Sequence, residues 1–600
     1  MFGKKFKTLM LLTIFVLLVA SLASCGSDDK DEDPTDAPVV KEEATKAPVV
    51  EEATAAPPPT EVPEETSIVI VIPEDPPSVN GAVTDTGYEQ MSMELVLLGM
   101  TDIDPEGNIL LELAAELPTM ENGGVALDED AWTMDVTWTM RDDVSWADGE
   151  PVTANDFVFT WEAMSNPDTG IWTYGSDYVD SVEKIDDYSF IVHYNTVYPG
   201  YRTQFGNENI VLWPAHYCDA EQGFVSWDCN REPLSNGPYL LDEWETGDHL
   251  TFVRNPSYYE EGKPHIDKII LRIVPEWTVM IQMMIAGDAD VYMWLNEIGI
   301  EDLKDVPNVG ISYSPSTRWA MRLVPNLAAK GSMDPEADPH PVFSDVRVRQ
   351  AMRMSIDVDT IVEELFLGYS EPVWTEMFRP PFDSCGIARP AYDPEGAKAL
   401  LEEAGWIDED GDGIRECHGC ETGAEEGYRM STEFMIYAEY GEALELAQQL
   451  IAEQWKEIGL ETELAMIEGG IMWGDYGSGG TEQNGNFDLD MWDDGYFGFD
   501  VADYLWTYYY SEAVEPDWGW NVGRWYNEEF DALLDEAYTL DEEYNHEMLC
   551  LAAEILDAEL PQIVLWSGID AAGYSTRVAG VQATINDIIT WNAADWEIVE

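Results

Sequence analysis

The stretch from Asn486 to Trp506, NFDLDMWDDGYFGFDVADYLW, interleaves aspartates with aromatic side chains. One interpretation is that the aromatics are core and the acids face solvent. That pattern is poor for a core, because ionised residues are rarely fully buried. The other interpretation is a platform for an amine or a sugar, which acts through charge, cation–π and stacking contacts. Its candidate residues are Trp492, Asp493, Asp494, Tyr496, Phe499 and Asp500.

A second stretch with metal-binding chemistry, DEDGDGIRECHGC, covers residues 408–420. Asp408, Asp410 and Asp412 match the first half of an EF-hand-type loop, in which alternate carboxylates converge on calcium. The twelfth position, which should be a glutamate, is a glycine, and Glu416 at the ninth position is the remaining candidate ligand. The alternatives are a structural calcium ion and an acidic surface loop without metal. We expect no other cofactor.

Motifs of the common enzyme classes are missing from the sequence. It contains no His-Glu-x-x-His, no Gly-x-Ser-x-Gly and no phosphate-binding Gly-Lys-Ser/Thr loop. Seven histidines in 600 residues leave little for base catalysis. We therefore expect a protein that is not an enzyme. A secreted carbohydrate-active enzyme is the alternative, because acids are abundant enough to supply a glycosidase pair.

The N-terminus has the pattern of a secretory signal. Three lysines precede an apolar run from Leu9 to Ala20, and small residues then lead to Cys25. The run is shorter than the roughly 20 residues that a membrane-spanning helix needs. The sequence Leu-Ala-Ser-Cys at its end resembles the lipobox of bacterial lipoproteins. We expect residues 1–24 to be removed and Cys25 to be acylated; the alternative is an ordinary cleaved signal with an incidental cysteine.

Residues 25–66 are predicted to form a tether. The segment is rich in proline and acids, contains no aromatic residue and repeats APVVKEEAT as APVVEEAT. Such a composition buries too little apolar surface to fold. The tether would hold a globular body away from the membrane to which the lipid is anchored.

The net charge of −90 restricts the partners. Nucleic acid is excluded, because phosphate contacts need a basic surface. An anionic membrane surface would also repel the chain, so we expect membrane contact through the lipid anchor only. The acidity is either a solvated coat that gives solubility or a preference for cationic ligands.

Six cysteines remain when the lipidated one is set aside, an even number that permits up to three disulfides in an exported protein. The favoured pair is Cys218 with Cys229, which would close a surface loop. For Cys417 and Cys420 a local disulfide is the economical interpretation, because a structural zinc site needs four ligands.

Strands and helices alternate along the body, which predicts the α/β class with partly parallel sheets. The β-branched run TSIVIVIP at 66–73 and the apolar run KIILRIVP at 268–275 indicate strands. Asp393 is predicted to cap a helix, and Gly287 and Gly459 to end two others.

A pattern at residues 140–164, MRDDVSWADGEPVTANDFVFTWEAM, resembles the signature region of the family 5 extracellular solute-binding proteins. These are the receptors of peptide and nickel ABC importers. Further blocks continue the resemblance along the body, including LSNGPYLLDEWETGDHLTFVRNPSYYEEGKPHIDKIILRIV, FSDVRVRQAMRMSIDVDTIVEELFLG, YDPEGAKALLEEAGW and ELPQIVLW.

The resemblance implies a two-lobed periplasmic-binding-protein type II fold, with an extra subdomain in the N-terminal lobe and ligand enclosed between hinged lobes. The implied boundaries are 67–310 for the N-terminal lobe, with the subdomain at about 98–235, then 311–565 for the C-terminal lobe and 566–600 for a return to the first lobe.

The resemblance also implies the partners and the cleft. In peptide-binding relatives the segment that corresponds to 486–506 gives an aspartate to the peptide amine, and here that position falls on Phe499 or Asp500. Peptides are the expected ligands and oligosaccharides the alternative. The expected protein is a monomer that serves an ABC permease from the outer face of the bacterial cytoplasmic membrane or from the periplasm. Further cleft candidates are Trp294, Arg318, Trp319 and Asn326, followed by Trp374 and Trp520.

Overall fold

A computed structural model describes residues 65–599 except for 84–86, 167–168, 170–174, 207–209, 315–318, 380–381, 496–500, 515–518 and 587. These residues fall within one compact unit, Glu64–Glu600. The strands are β1 Ser67–Ile72, β2 Thr101–Ile103, β3 Ile109–Leu111, β4 Val125–Asp128, β5 Thr133–Thr139, β6 Val179–Asp186, β7 Ser189–Tyr194, β8 Tyr239–Glu245, β9 His249–Arg254, β10 Lys268–Ile273, β11 Val291–Met293, β12 Val309–Ser314, β13 Ala320–Pro325, β14 Glu371–Pro372, β15 Trp406–Ile407, β16 Glu416–Cys417, β17 Ser431–Tyr437, β18 Glu461–Ile467, β19 Leu489–Asp494, β20 Ile563–Ser567, β21 Asp570–Ser575, β22 Val578–Ala579 and β23 Glu597–Ile598.

The α-helices of the described residues alternate with these strands. They are α1 Tyr88–Val96, α2 Ala154–Met164, α3 Tyr201–Gln204, α4 Trp277–Ala286, α5 Glu297–Leu303, α6 Val346–Met354, α7 Val358–Leu365, α8 Pro394–Glu403, α9 Glu442–Ile458, α10 Gly469–Met472, α11 Val501–Tyr509, α12 Glu528–Ala537 and α13 Glu542–Glu559. Within the described ranges, none of them has the length and apolarity needed to cross a bilayer.

The first lobe is built on a seven-stranded sheet in the order β12-β21-β11-β1-β10-β9-β8. Strand β1 lies near its centre and pairs in parallel with β10 and β11. Alternate residues of β1, such as Ile68 and Ile70, are fully buried, which is why a nearly continuous β-branched run forms a central strand. The same lobe carries an antiparallel four-stranded sheet, β4-β5-β7-β6.

The second lobe is built on a six-stranded sheet in the order β14-β20-β13-β19-β17-β18. Strand β17 pairs in parallel with β18 and β19, whereas β13 is antiparallel to both β19 and β20. Helix α9 packs against β17 and β18 and buries Leu444, Ile451 and Trp455. Strands β13 and β19 are therefore central, and their ends carry the residues discussed below.

The chain passes between the two sheets twice within residues 65–599. It leaves the first sheet after Ser314 and enters the second at Ala320, and it returns between Ser567 and Asp570. Strand β12 thus lies in the first sheet, a few residues beyond the boundary at 310 implied by the resemblance. We call residues 65–314 and 570–599 the first lobe and 320–567 the second.

Several helix ends match local sequence signals. Asp345 and Asp393 cap α6 and α8 with their carboxylates, and Thr153 forms a capping box at α2. Helices α4 and α9 end at Gly287 and Gly459, both in the left-handed conformation that glycine adopts without steric cost. The start and stop signals expected at Asp393, Gly287 and Gly459 are confirmed.

Three disulfides link the six cysteines of the described residues. Cys218 is bonded to Cys229, and Cys417 to Cys420. The third bond joins Cys385 to Cys550 across 165 residues of sequence, a pairing that the sequence left open. It ties the loop before α8 to helix α13, which belongs to the same lobe.

Candidate functional site

A cavity of about 400 Å³ lies between the two lobes. The first lobe contributes Gly175, Asp177 and Tyr178, from the segment that leads into β6. The second lobe contributes α11 and the pair Gly519–Trp520. A concave space between domains, lined by aromatics with a few polar groups, is the usual place for a small ligand.

Helix α11, with the sequence VADYLWTYY, supplies most of the aromatic lining. It buries Val501 and Leu505 in its own lobe and leaves Trp506 and Tyr508 half-buried at the cavity. The spacing of three to four residues between apolar positions explains why one face of this helix packs and the other remains available. The cavity wall is thus rigid and aromatic.

Side-chain contacts cross between the lobes beside the cavity. The Tyr178 hydroxyl donates to Asp503 Oδ1 at 2.5 Å and lies 3.0 Å from the Tyr538 hydroxyl. An ion pair joins Arg202 of the first lobe to Glu542 of the second. We call these two sets of contacts the cross-lobe latch.

Glycine is required at position 175 on the first-lobe side of the cavity. Gly175 has φ of +75°, and a Cβ there would lie 2.6 Å from the ring of Tyr198. Tyr198 in turn lies against Tyr178, with ring centroids 5.0 Å apart. This close packing holds Tyr178 in place for its bond to the opposite lobe.

Burial raises the pKa of Asp503 to about 6, and the neighbouring charge of Asp177 adds to the rise. The hydrogen bond from Tyr178 opposes the rise, because it favours the ionised carboxylate. The group therefore changes charge close to neutral pH at a position where the lobes meet.

A buried ion pair lies behind α11. Arg322 of β13 and Glu376 are both almost inaccessible to solvent, and Nη1 of Arg322 lies 2.8 Å from Oε1 of Glu376. The guanidinium also donates to the Tyr504 hydroxyl and to the Asp494 carbonyl, and the Tyr509 hydroxyl donates to Glu376. The ion pair thus joins β13, the end of β19 and α11 in one hydrogen-bonded network.

Trp492, Asp493 and Asp494 come together at the end of β19. Trp492 is only 4% exposed, and its ring lies 6.0 Å from Tyr508 and 5.7 Å from the Arg322 guanidinium. Asp493 and Asp494 are half-buried, and burial raises the pKa of both carboxyls, that of Asp494 to about 6. Tyr508, which lines the cavity, lies close enough to Asp494 to lower the pKa of its carboxyl, and so opposes the rise that burial causes.

The other sequence candidates lie apart from this group. Trp294 is 36% exposed in the first lobe and packs edge-on against Tyr88. Trp319 precedes β13 at the crossing, where its carbonyl accepts from the Gly568 N–H. Asn326 is fully buried at the far end of β13, with its amide bonded to the backbone of neighbouring loops. Four candidates lie outside the described residues: Arg318, Tyr496, Phe499 and Asp500.

Neither Tyr178 nor Arg322 is among the sequence candidates, and Asp503 lies within the aromatic–acidic stretch without being one of its candidate residues. Tyr178 and Asp503 are 325 residues apart, so only the fold brings them together. Trp506 is the last residue of the aromatic–acidic stretch, and Tyr508 lies two residues beyond it. The stretch therefore indicated this region of the chain without selecting either residue. Trp520 does line the cavity.

The aspartate-rich loop lies in the hairpin between β15 and β16. Carboxylate oxygens of Asp408, Asp410 and Asp412 lie within 4.8 Å of one another, and all three side chains are exposed. These carboxylates accept hydrogen bonds from amides of the same loop, and Arg429 donates to Asp412 at 2.7 Å. Glu416 accepts from the Glu409 N–H at 3.2 Å.

Two further carboxyl groups of the second lobe, Glu482 and Asp490, have no solvent exposure, and Asp490 lies near the start of β19. Burial raises the pKa of Asp490 to about 7, and burial together with the charge of Asp490 raises the pKa of Glu482 well above its usual value. Arg524 is buried beside them, and its positive charge opposes both shifts.

Residues 125–515 match the sequence profile described as bacterial extracellular solute-binding proteins, family 5 Middle. The chain belongs to this family. Its members are extracytoplasmic proteins that bind solutes, so the resemblance found in the sequence is confirmed.

Known relatives extend the likeness over most of the chain. Oligopeptide-binding protein AppA of Bacillus subtilis (strain 168) is 23% identical over 481 residues, which cover 78% of this chain and 77% of that protein. Heme-binding protein A of Haemophilus influenzae is 24% identical over 446 residues, which cover 71% and 74% of the two chains. The solved structure of NikZ from Campylobacter jejuni in complex with Ni(L-His) has 21% identity and a TM-score of 0.69, covering 89% of this chain and all of that one. The α/β two-lobed fold is confirmed.

The buried pair of acids predicts a pH-dependent stability. The pKa of Asp490 is raised from about 3.9 in an unfolded chain to about 7, so the folded state favours the protonated form. Stabilisation from this group is complete below pH of about 4 and is lost as the pH rises through about 7. Asp490→Asn cannot ionise, so its free energy of unfolding should fall less between pH 5 and pH 8 than that of the parent, by at least about 1 kcal/mol. Urea denaturation at the two pH values measures this difference.

Asp475→Asn, at an exposed position of the same lobe, is the matched control and should keep the parental pH dependence. An Asp490→Asn variant with the same pH dependence as the parent would show that Asp490 is ionised in the folded protein at neutral pH.

The cross-lobe latch predicts that Tyr178→Phe favours the open form. The variant keeps the ring and loses the hydroxyl that bonds to Asp503. A hydrogen bond to a charged group contributes about 1.5–3 kcal/mol, so the ratio of closed to open molecules should fall about tenfold or more. Distances between spin labels placed at the exposed positions Asp186 and Glu547, one in each lobe, measure this ratio.

Tyr217→Phe is the control, because Tyr217 is a 47% exposed tyrosine of the same lobe. Identical distance distributions for Tyr178→Phe and the parent would mean that the latch does not hold the lobes together.

Proposed function

We propose that this chain is the extracytoplasmic receptor of an ABC importer and that it captures peptides between its two lobes for delivery to a membrane permease. The observation that carries the proposal is the cavity between the lobes, which combines aromatic walls with the carboxylates of Asp177 and Asp503. Family membership supports the receptor role, and the relative AppA is named as an oligopeptide-binding protein. In this role the chain binds its solute and catalyses no reaction.

The acids favour an amine-bearing ligand. Asp494 is a neighbour of Tyr508, which lines the cavity, and Asp503 lines the cavity directly. As carboxylates in a partly desolvated cleft, they attract an ammonium group more strongly than they would in water. We assign the terminal amine of a peptide to Asp494, because Asp503 is already bonded to Tyr178.

An oligosaccharide is the second candidate ligand. The observation that favours it is the pair of tryptophans, Trp506 and Trp520, on the cavity wall. Flat aromatic faces stack on sugar rings as readily as on peptide groups, and carboxylates accept hydrogen bonds from sugar hydroxyls.

The N-terminal segment has a role in the same proposal. Acylated Cys25 would anchor the chain after removal of residues 1–24, and residues 26–66 would give the body reach. The receptor would work as a monomer on the outer face of the cytoplasmic membrane or in the periplasm. These residues of the anchor and tether precede the part that the structure describes.

Titration with a matched pair of peptides tests the proposal. Tetra-alanine with a free amine should bind, and its N-acetylated form should bind at least tenfold more weakly. Affinity for the free amine should fall below pH of about 6, because Asp494 and Asp503 then become protonated and lose their attraction for ammonium. Asp494→Asn should weaken binding of the free peptide and leave the acetylated one unchanged, as measured by calorimetry.

Asp475→Asn, which removes an exposed acid of the same lobe, is the control and should bind both peptides like the parent. Equal affinity for the two peptides would contradict the assignment to Asp494. Binding of a malto- or cello-oligosaccharide in place of either peptide would favour the sugar candidate.

A further inference from the structure

A second cavity, of about 200 Å³, lies in the second lobe away from the cleft. It is formed where the end of α6, the start of α7 and strands β14 and β20 meet the segment Arg389–Tyr392. All of its lining residues belong to the second lobe, and it shares none with the cavity between the lobes. It is therefore a separate site.

Two arginines line this second cavity, in a chain with only 29 basic residues against 119 acidic ones. Arg353 is held by Asp557, with Nη1 and Oδ1 2.5 Å apart, and its side chain is 16% exposed. The Nε–H of Arg353 is buried and has no acceptor among the described residues. A buried donor without an acceptor is unfavourable, so this N–H favours a ligand that places an acceptor beside it.

The second arginine, Arg389, also has N–H groups beyond the one that bonds to Asp359. Its Nη2 donates to Asp359 at 2.8 Å, and a guanidinium carries five N–H groups in all. The two acids of the cavity are already engaged: Asp359 by this bond and Asp357 by Thr360, whose N–H and hydroxyl it accepts at the start of α7. The Nε–H of Arg353 and the further N–H groups of Arg389 are the donors that the cavity offers, and the forked geometry of a guanidinium suits a carboxylate.

The rest of the wall is apolar. Ile356, Val373 and Leu565 are buried there, and the Trp374 indole is fixed by its bond to the Ile387 carbonyl at 2.9 Å. Drug-sized ligands occupy pockets of about 300–1,000 Å³, so this smaller space suits a single residue-sized group.

We propose that this second cavity binds a small carboxylic acid with an apolar side chain, of the size of one hydrophobic amino acid. The carboxylate is held by Arg353 and Arg389, and the side chain packs against the apolar wall. The same chemistry belongs to a free amino acid and to the C-terminal residue of a peptide. The proposal does not depend on the function assigned to the cleft.

Ligand-observed NMR titration of the full chain in detergent tests the proposal with three probes. N-acetyl-L-leucine represents a C-terminal residue, L-leucine a free amino acid, and N-acetyl-L-leucinamide lacks both the carboxylate and the amine. We expect saturable binding of at least one of the two carboxylates in the millimolar range or tighter, and none of the amide. Binding of both indicates recognition of the carboxylate from either source, and binding of one alone identifies the source.

Arg389→Gln should weaken carboxylate binding at least tenfold, and Arg353→Gln should do the same. Arg347→Gln, on helix α6 but outside the cavity, is the matched control and should bind like the parent. Because Arg389 is 40% exposed, its variant should fold even if the loss of Arg353 destabilises the lobe.

Tyr508→Ala separates this proposal from the function of the cleft, because Tyr508 lines only the cavity between the lobes. Loss of probe binding in Tyr508→Ala, with normal binding in both arginine variants, would place the probes in the cleft and overturn the proposal. Absence of saturable carboxylate binding, or equal binding of N-acetyl-L-leucinamide, would also overturn it. A failure of carboxylate binding at the second cavity would not bear on peptide capture between the lobes.

Discussion

The buried guanidinium of Arg322 is the interaction on which the candidate site depends. It is enclosed in the second lobe and neutralised by Glu376, and it also bonds to Tyr504 and to the backbone of Asp494. A buried charge is tolerated only with a partner and full hydrogen bonding, and removal of one partner typically costs about 3–5 kcal/mol. Strand β13, the end of β19 and helix α11 are therefore fixed relative to one another.

This fixed base holds the aromatic wall of the cleft in place. Helix α11 presents Trp506 and Tyr508 to the cavity from a position that Arg322 determines through Tyr504. The opposite wall belongs to the other lobe and is joined to α11 by the hydroxyl of Tyr178. A preformed aromatic surface loses little entropy when ligand binds, and a few polar contacts across the lobes are enough to set the balance between open and closed forms.

Local features of the fold were predictable from the sequence, and long-range contacts were not. The β-branched run at 66–73 and the helix stops at Gly287 and Gly459 are local signals, and the structure contains each of these elements. The aromatic–acidic stretch contains Asp494 and the first turns of α11, the helix that lines the cavity between the lobes. The contact between Tyr178 and Asp503 joins residues 325 positions apart, and no periodicity or cap encodes it. Single residues outside motifs acquire their roles only through the tertiary fold.

Native mass spectrometry of the chain purified from cells tests whether a solute is enclosed between the lobes. An enclosed solute gives a native mass above the covalent mass, and denaturation should release an amine-bearing peptide. A native mass equal to the covalent mass, both as purified and after incubation with mixed peptides and oligosaccharides, would contradict this enclosure.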